Sequence, residues 1–106
     1  MKKSAPLSRS LWPLVPPVKD EEVWAWVRLV MRVIRGERRR QGLPQAELAR
    51  RAGITRPALT LLESGAREPG LAMLMRLGEG LGGLAELMVR VNRVWPRYCS
   101  RLGLGE

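Results

Sequence analysis

Residues 45–65 read QAELARRAGITRPALTLLESG, and this stretch decides the fold. Leu48, Ala49 and Ala52 fall at i, i+1 and i+4, one face of a short helix. Gly53 supplies a turn, and Ile54, Leu59 and Leu62 give the matching apolar face of that turn and of a second helix. The second helix closes at Ser64-Gly65. Thr55 suits its N-cap, because a hydroxyl there accepts from a first-turn backbone N–H. Pro57 is compatible because it falls within that first turn.

Two short helices meeting at a steep angle about a glycine turn form a helix-turn-helix, whose second helix can enter a DNA major groove. Working outward, Gly42 suits a left-handed helix end, Leu43 points back toward the core and Pro44 suits the start of the next helix. Glu47 stands where a capping-box carboxylate would sit. Upstream, a helix is predicted from Lys19-Asp20 to about Gln41, with Val23, Val27, Val30 or Met31, and Ile34 as its stripe. Trp24, Trp26, Leu29 and Val33 lie off that stripe, so the apolar surface wraps more than half of the helix. A helix of that kind is buried on two sides, against its own core and against a partner subunit or the N-terminal arm. A partner subunit is the preferred reading, with Trp24, Trp26 and Val33 at a homodimer interface. Gly36 is a candidate bend in this helix. Downstream, Leu71, Leu74, Leu77 and Leu81 face inward from a helix Leu71–Leu81 whose end Gly78, Gly80, Gly82 and Gly83 weaken. A last helix, Leu84–Trp95, is expected to stop at Pro96, with Arg90, Arg93, Arg97 and Arg101 as a basic stripe.

Composition limits what such a domain can do. The chain has 106 residues, enough for one core, and residues 1–18 read as a Pro-rich arm before a single helical domain at 19–106. Zero Phe and one Tyr leave an aliphatic core with four Trp for bulk. The net charge of +9 favours a polyanionic partner. Arginine makes up 16 of the 19 basic residues, which fits phosphate and guanine binding as well as a GC-rich or thermophilic genome. Within residues 35–67, eight arginines face three glutamates, a net of +5.

Catalysis is not expected. No histidine is present, which removes the commonest general base and metal ligand, and the lone Cys99 reads as a buried small hydrophobe. No metal site and no cofactor is implied. Asp20, Glu21 and Glu22 cluster at a helix start, where they complement the dipole. Lys2 and Lys3 resemble the beginning of a secretory signal, but Pro13, Pro16 and Pro17 interrupt any apolar run. Val23–Ile34 contains Arg28 and Arg32 and is too short to span a bilayer, so a soluble, cytoplasmic protein with no membrane partner is expected.

Residues 34–88 resemble the Cro/C-repressor (XRE-like) helix-turn-helix family. The resemblance rests on Arg38, Gly42-Leu43, Gln45-Ala46-Glu47-Leu48-Ala49, Gly53-Ile54-Thr55, Leu59, Leu62-Glu63-Ser64-Gly65, Arg67, Pro69 and the Leu74…Leu77…Leu81-Gly82 run. It implies an all-α bundle of about five short helices, here with an extended first helix and the Pro-rich arm. It implies a DNA-binding transcriptional regulator, expected to be a dimeric repressor that reads double-stranded DNA with helix Thr55–Ser64. It implies base reading at Arg56, Pro57 and Leu61, with Thr60 on a base or a phosphate, and a phosphate anchor at Gln45. Thr55, Ser64 and Arg67 match positions that touch the DNA backbone, and Arg38 with Glu63 matches a structural ion pair. Pro57 and Leu61 depart from the Gln or Asn that the family often carries on its reading face. The alternative is an antitoxin that binds a toxin protein through the arm and represses its own operon.

Overall fold

A computed structural model describes residues 20–104. Five α-helices follow one another: α1 Asp20–Arg40, α2 Gln45–Ala52, α3 Arg56–Ser64, α4 Leu71–Gly80 and α5 Leu84–Arg101. No strand occurs among the described residues, so the fold is the all-α bundle expected. No helix among them is long and apolar enough to cross a membrane. The Pro-rich arm, with the toxin-binding role weighed for it, lies outside the described residues.

One core joins all five helices. Val30 and Ile34 of α1, Leu48 of α2, Leu59 of α3, Leu77 of α4 and Val91 of α5 are fully buried. α1 lies against both α5 and α3, and this sets its rotation. Its buried residues are Ala25, Leu29, Val30, Met31, Ile34 and Arg38. The stripe read from the sequence is therefore corrected at its N-terminal half. Leu29 turns in because α5 packs on that side, while Val23 is left exposed and Val27 half-buried. Gly36 does not interrupt α1, which continues to Arg40.

Local chemistry explains the helix ends. α2 ends at Gly53 in the left-handed region, φ 72°, and Ile54 N donates to Ala49 O at 2.9 Å. A side chain at that φ would cost about 1–2 kcal/mol. Thr55 caps α3, its hydroxyl accepting from Ala58 N at 3.2 Å. The capping box expected from Glu47 is absent. Pro44 occupies the N-cap and has no N–H to receive the carboxylate, so Glu47 instead accepts from Arg50 and Arg51.

α5 does not stop at Pro96 but continues to Arg101. A proline inside a helix costs about 3 kcal/mol, so packing beyond it must offset that loss. Tyr98 and Cys99 are both buried, the Trp95 and Tyr98 rings meet in a tilted contact with centroids 6.2 Å apart, and Arg32 of α1 lies 5.9 Å from the Tyr98 ring centroid. The glycines of α4 also differ from expectation. They pack rather than weaken: Gly78 and Gly80 are buried. A Cβ on Gly78 would stand 2.8 Å from Leu84 Cδ1 and 3.0 Å from Leu84 Cα.

The C-terminal turn of α1 is tied to the other side of the bundle by Glu37. Its carboxylate accepts from Arg40 and Gln41 and pairs with Arg90 of α5, while Gln41 Nε2 also donates to Leu81 O at 2.7 Å. Hydrogen bonds from Arg40 and then Gln41, with the Arg90 charge adding, hold the Glu37 carboxyl down to about 2.

Gly36→Ala, with open space at its Cβ, is expected to stabilise by about 0.5–1 kcal/mol. Gly78→Ala is expected to destabilise by about 1–3 kcal/mol, since Leu84 backbone cannot yield. Urea melts of both variants check this opposition of sign. Because Glu37 is depressed in the folded state, its contribution is complete above its ordinary value of 4.5 and is lost as pH falls toward 2. Glu37→Gln should flatten the stability–pH curve over that window, measured by denaturation at stepped pH.

Candidate nucleic-acid interface

α3 turns one face to the core and one to solvent. Leu59 and Leu62 are buried, whereas Arg56, Pro57 and Thr60 are exposed and Leu61 is 44% exposed. This follows from helical period: positions 59 and 62 share one side, and positions 56, 57, 60 and 61 share the other. α2 packs against α3, and Gln45 at its start bonds to Arg56, Thr60 and Glu63 of α3, so the outer surface of α3 stands beside the start of α2.

Behind that surface lies a buried polar network. Arg38 Nε donates to Glu63 Oε2 at 2.8 Å and its Nη2 to Glu63 Oε1 at 3.1 Å, a two-pronged ion pair. The third guanidinium nitrogen donates to Leu43 O at 2.9 Å. Both side chains are almost wholly buried, 10% and 4% exposed. Glu63 Oε1 also accepts from Gln45 Nε2 at 2.9 Å. A carboxylate can only accept, which fixes the Gln45 amide with its NH₂ inward and its carbonyl outward. That carbonyl then faces Arg56 Nε at 3.4 Å and Thr60 Oγ1 at 3.2 Å. The chain of contacts thus runs from α1 through the end of α3 and the start of α2 to the outer face of α3.

The network leaves specific valences free. Arg56 uses Nε on Gln45, so its two terminal nitrogens remain as a fork toward solvent. Thr60 has one hydroxyl hydrogen to share between Gln45 and the Arg56 carbonyl. Gln45 is half-buried and keeps one amide hydrogen beyond its bond to Glu63. Thr55 accepts from Ala58 N, so its own hydrogen is available. Ser64 donates to Leu61 O at 3.0 Å, and that hydroxyl must rotate before it can serve a phosphate. Arg67 is exposed just past α3.

The remaining expected positions lie elsewhere. Trp24 is 45% exposed on α1, but Trp26 and Val33 are half-buried against this chain's own core. The bridge from Gln45 to Glu63 was not legible in the sequence, because 18 residues separate the pair and no periodicity links them. The bond from Arg51 Nη1 to Gly80 O, 29 residues away, is of the same kind.

Comparison with known proteins bears on the fold that carries this surface. A helix-turn-helix family model matches residues 34–87, the segment from the middle of α1 to the start of α5. An uncharacterized HTH-type transcriptional regulator of Methanothermobacter thermautotrophicus is 42% identical over 50 residues, covering 47% of this chain and 72% of that protein. No solved structure matches the chain. The chain belongs to the helix-turn-helix family, a DNA-binding fold of transcriptional regulators.

Removing one member of the buried pair strands a charge. Glu63→Ala is expected to cost about 3–5 kcal/mol, read as the loss in urea denaturation, while the double change Arg38→Met, Glu63→Leu should recover most of it. A cost below about 1 kcal/mol for the single change would contradict a buried pair.

Proposed function

We propose that this protein is a dimeric transcriptional repressor that grips double-stranded DNA in the cytoplasm with one α3 helix per half-site. The observation that carries the reading is the outer face of α3, on which the Arg56 fork and Thr60 are held by Gln45. Arg56 would bind guanine O6 and N7 with its two free nitrogens, the geometry that a guanidinium fork matches. Pro57 and Leu61 would contact thymine methyl groups, and Thr60 a base edge or phosphate. Gln45, Thr55, Ser64 and Arg67 would fix the backbone, with the N-terminus of α2 adding its dipole. Two such helices on a two-fold axis, about 34 Å apart, match successive major grooves on one face of DNA. Repression then follows from occupancy of the DNA that the dimer covers. The role is binding rather than catalysis.

Fluorescence anisotropy on a bound duplex tests these roles separately. Arg56→Ala should reduce the preference for the best sequence by about 1–3 kcal/mol. Arg67→Ala should weaken binding to every sequence alike and lower the salt slope by about one. Affinity that stays constant between about 50 and about 200 mM salt would overturn phosphate contact as the source of binding.

A further inference from the structure

A groove of about 420 Å³ opens between α1, the C-terminal end of α3 and the last turns of α5. Buried Met31, Leu62 and Tyr98 give it an apolar floor, and its exposed charged lining is Arg28, Arg32, Arg35, Arg67 and one acid, Glu68. Trp24 stands at one end, 45% exposed. Most of this wall of α1 precedes residue 34, so it is an addition to the helix-turn-helix fold rather than a part of the matched segment.

The face of α1 that borders the groove has a polarity along its length. At about 100° per residue, Asp20, Trp24, Met31 and Arg35 fall within roughly 40° of one line along the helix. Charge therefore runs from acidic at Asp20 and Glu21, through Trp24, Val27 and Met31 with Arg28 beside them, to basic at Arg35. None of Asp20, Glu21, Arg28 and Arg35 belongs to an ion pair among the described residues.

We propose that the occupant of this groove is a second copy of the chain, with the two α1 helices antiparallel about a two-fold axis between residues 27 and 28. In that register the partner's Asp20 comes level with Arg35, and the partner's Trp24 comes level with Met31. Each indole enters the other copy's groove over Met31, Leu62 and Tyr98, and symmetry makes every contact twice. A parallel arrangement would set Asp20 beside Asp20 and Arg35 beside Arg35, which like-charge repulsion disfavours. The adjoining segment of the same chain is a poorer rival, because residues 1–19 hold four basic residues and no acidic one, against a rim of four arginines and one glutamate. The far wall of the groove includes Gly65 at the end of α3, so a partner seated there sets the distance between the two α3 helices. The inference rests on the dimeric reading above and specifies the surface that makes the dimer.

Sedimentation equilibrium of the full-length chain tests it. Asp20→Arg and Arg35→Glu should each weaken association about tenfold, since each change creates two like-charge contacts in a symmetric interface. The double variant Asp20→Arg, Arg35→Glu should return to within about threefold of the unsubstituted chain, because the pair is restored with its signs exchanged. Trp24→Ala should weaken association by about tenfold or more, as expected for a central aromatic anchor. Circular dichroism of the charge variants, whose sites are exposed, should be unchanged. An unsubstituted chain that is dimeric but indifferent to all three changes would overturn this interface and leave the dimeric reading standing. A double variant as weak as the worse single would overturn the register. An unsubstituted chain that stays monomeric would overturn the dimeric reading itself.

Discussion

The outward face of this protein depends on a buried ion pair. Arg38 at the end of α1 and Glu63 at the end of α3 are 25 residues apart, yet they meet in a two-pronged contact with hardly any water. Two charges out of water gain little net stability relative to an apolar pair of the same shape, but they tolerate displacement poorly. If α3 slides or rotates, Arg38 loses its acceptor and Glu63 its donors. The pair therefore acts as a register device. It fixes α3 relative to α1, and through the Leu43 carbonyl it also fixes the turn that leads into α2.

That constraint reaches the surface through one amide. Gln45 turns its NH₂ to Glu63 and its carbonyl to Arg56 and Thr60, so it has a structural role as well as any contact with phosphate. A guanidinium held at Nε and free at both terminal nitrogens loses less rotamer freedom on meeting a base than an unrestrained arginine would. The same residue that anchors a helix start is thus the one that aims the reading face.

Much of the fold was legible in the sequence, and the reason is local. Gly53, Thr55 and the apolar spacing of Leu48, Ala49, Leu59 and Leu62 act within one or two helical turns, where turn and capping chemistry decide the outcome. Readings failed where tertiary packing competes with local preference. Pro96 reads as a stop, yet Tyr98 and Cys99 beyond it are buried against the bundle and carry the helix through. Gly78 and Gly80 read as weak points, but Leu84 lies close against the first and Leu48 and Arg51 against the second. The N-terminal half of the α1 stripe differs from its sequence period because the rotation of α1 depends on α5, some 60 residues later. The polar network was the least legible part, since Gln45 and Glu63 share no sequence period.

The most direct test of the central claim is selection of bound duplexes from a random DNA pool. A symmetric dimer that reads DNA through Arg56 selects a two-fold symmetric sequence with half-sites about ten base pairs apart, each with a guanine whose enrichment disappears with Arg56→Ala. Retained DNA that shows no enriched sequence, or one asymmetric site unaffected by Arg56→Ala, would contradict it.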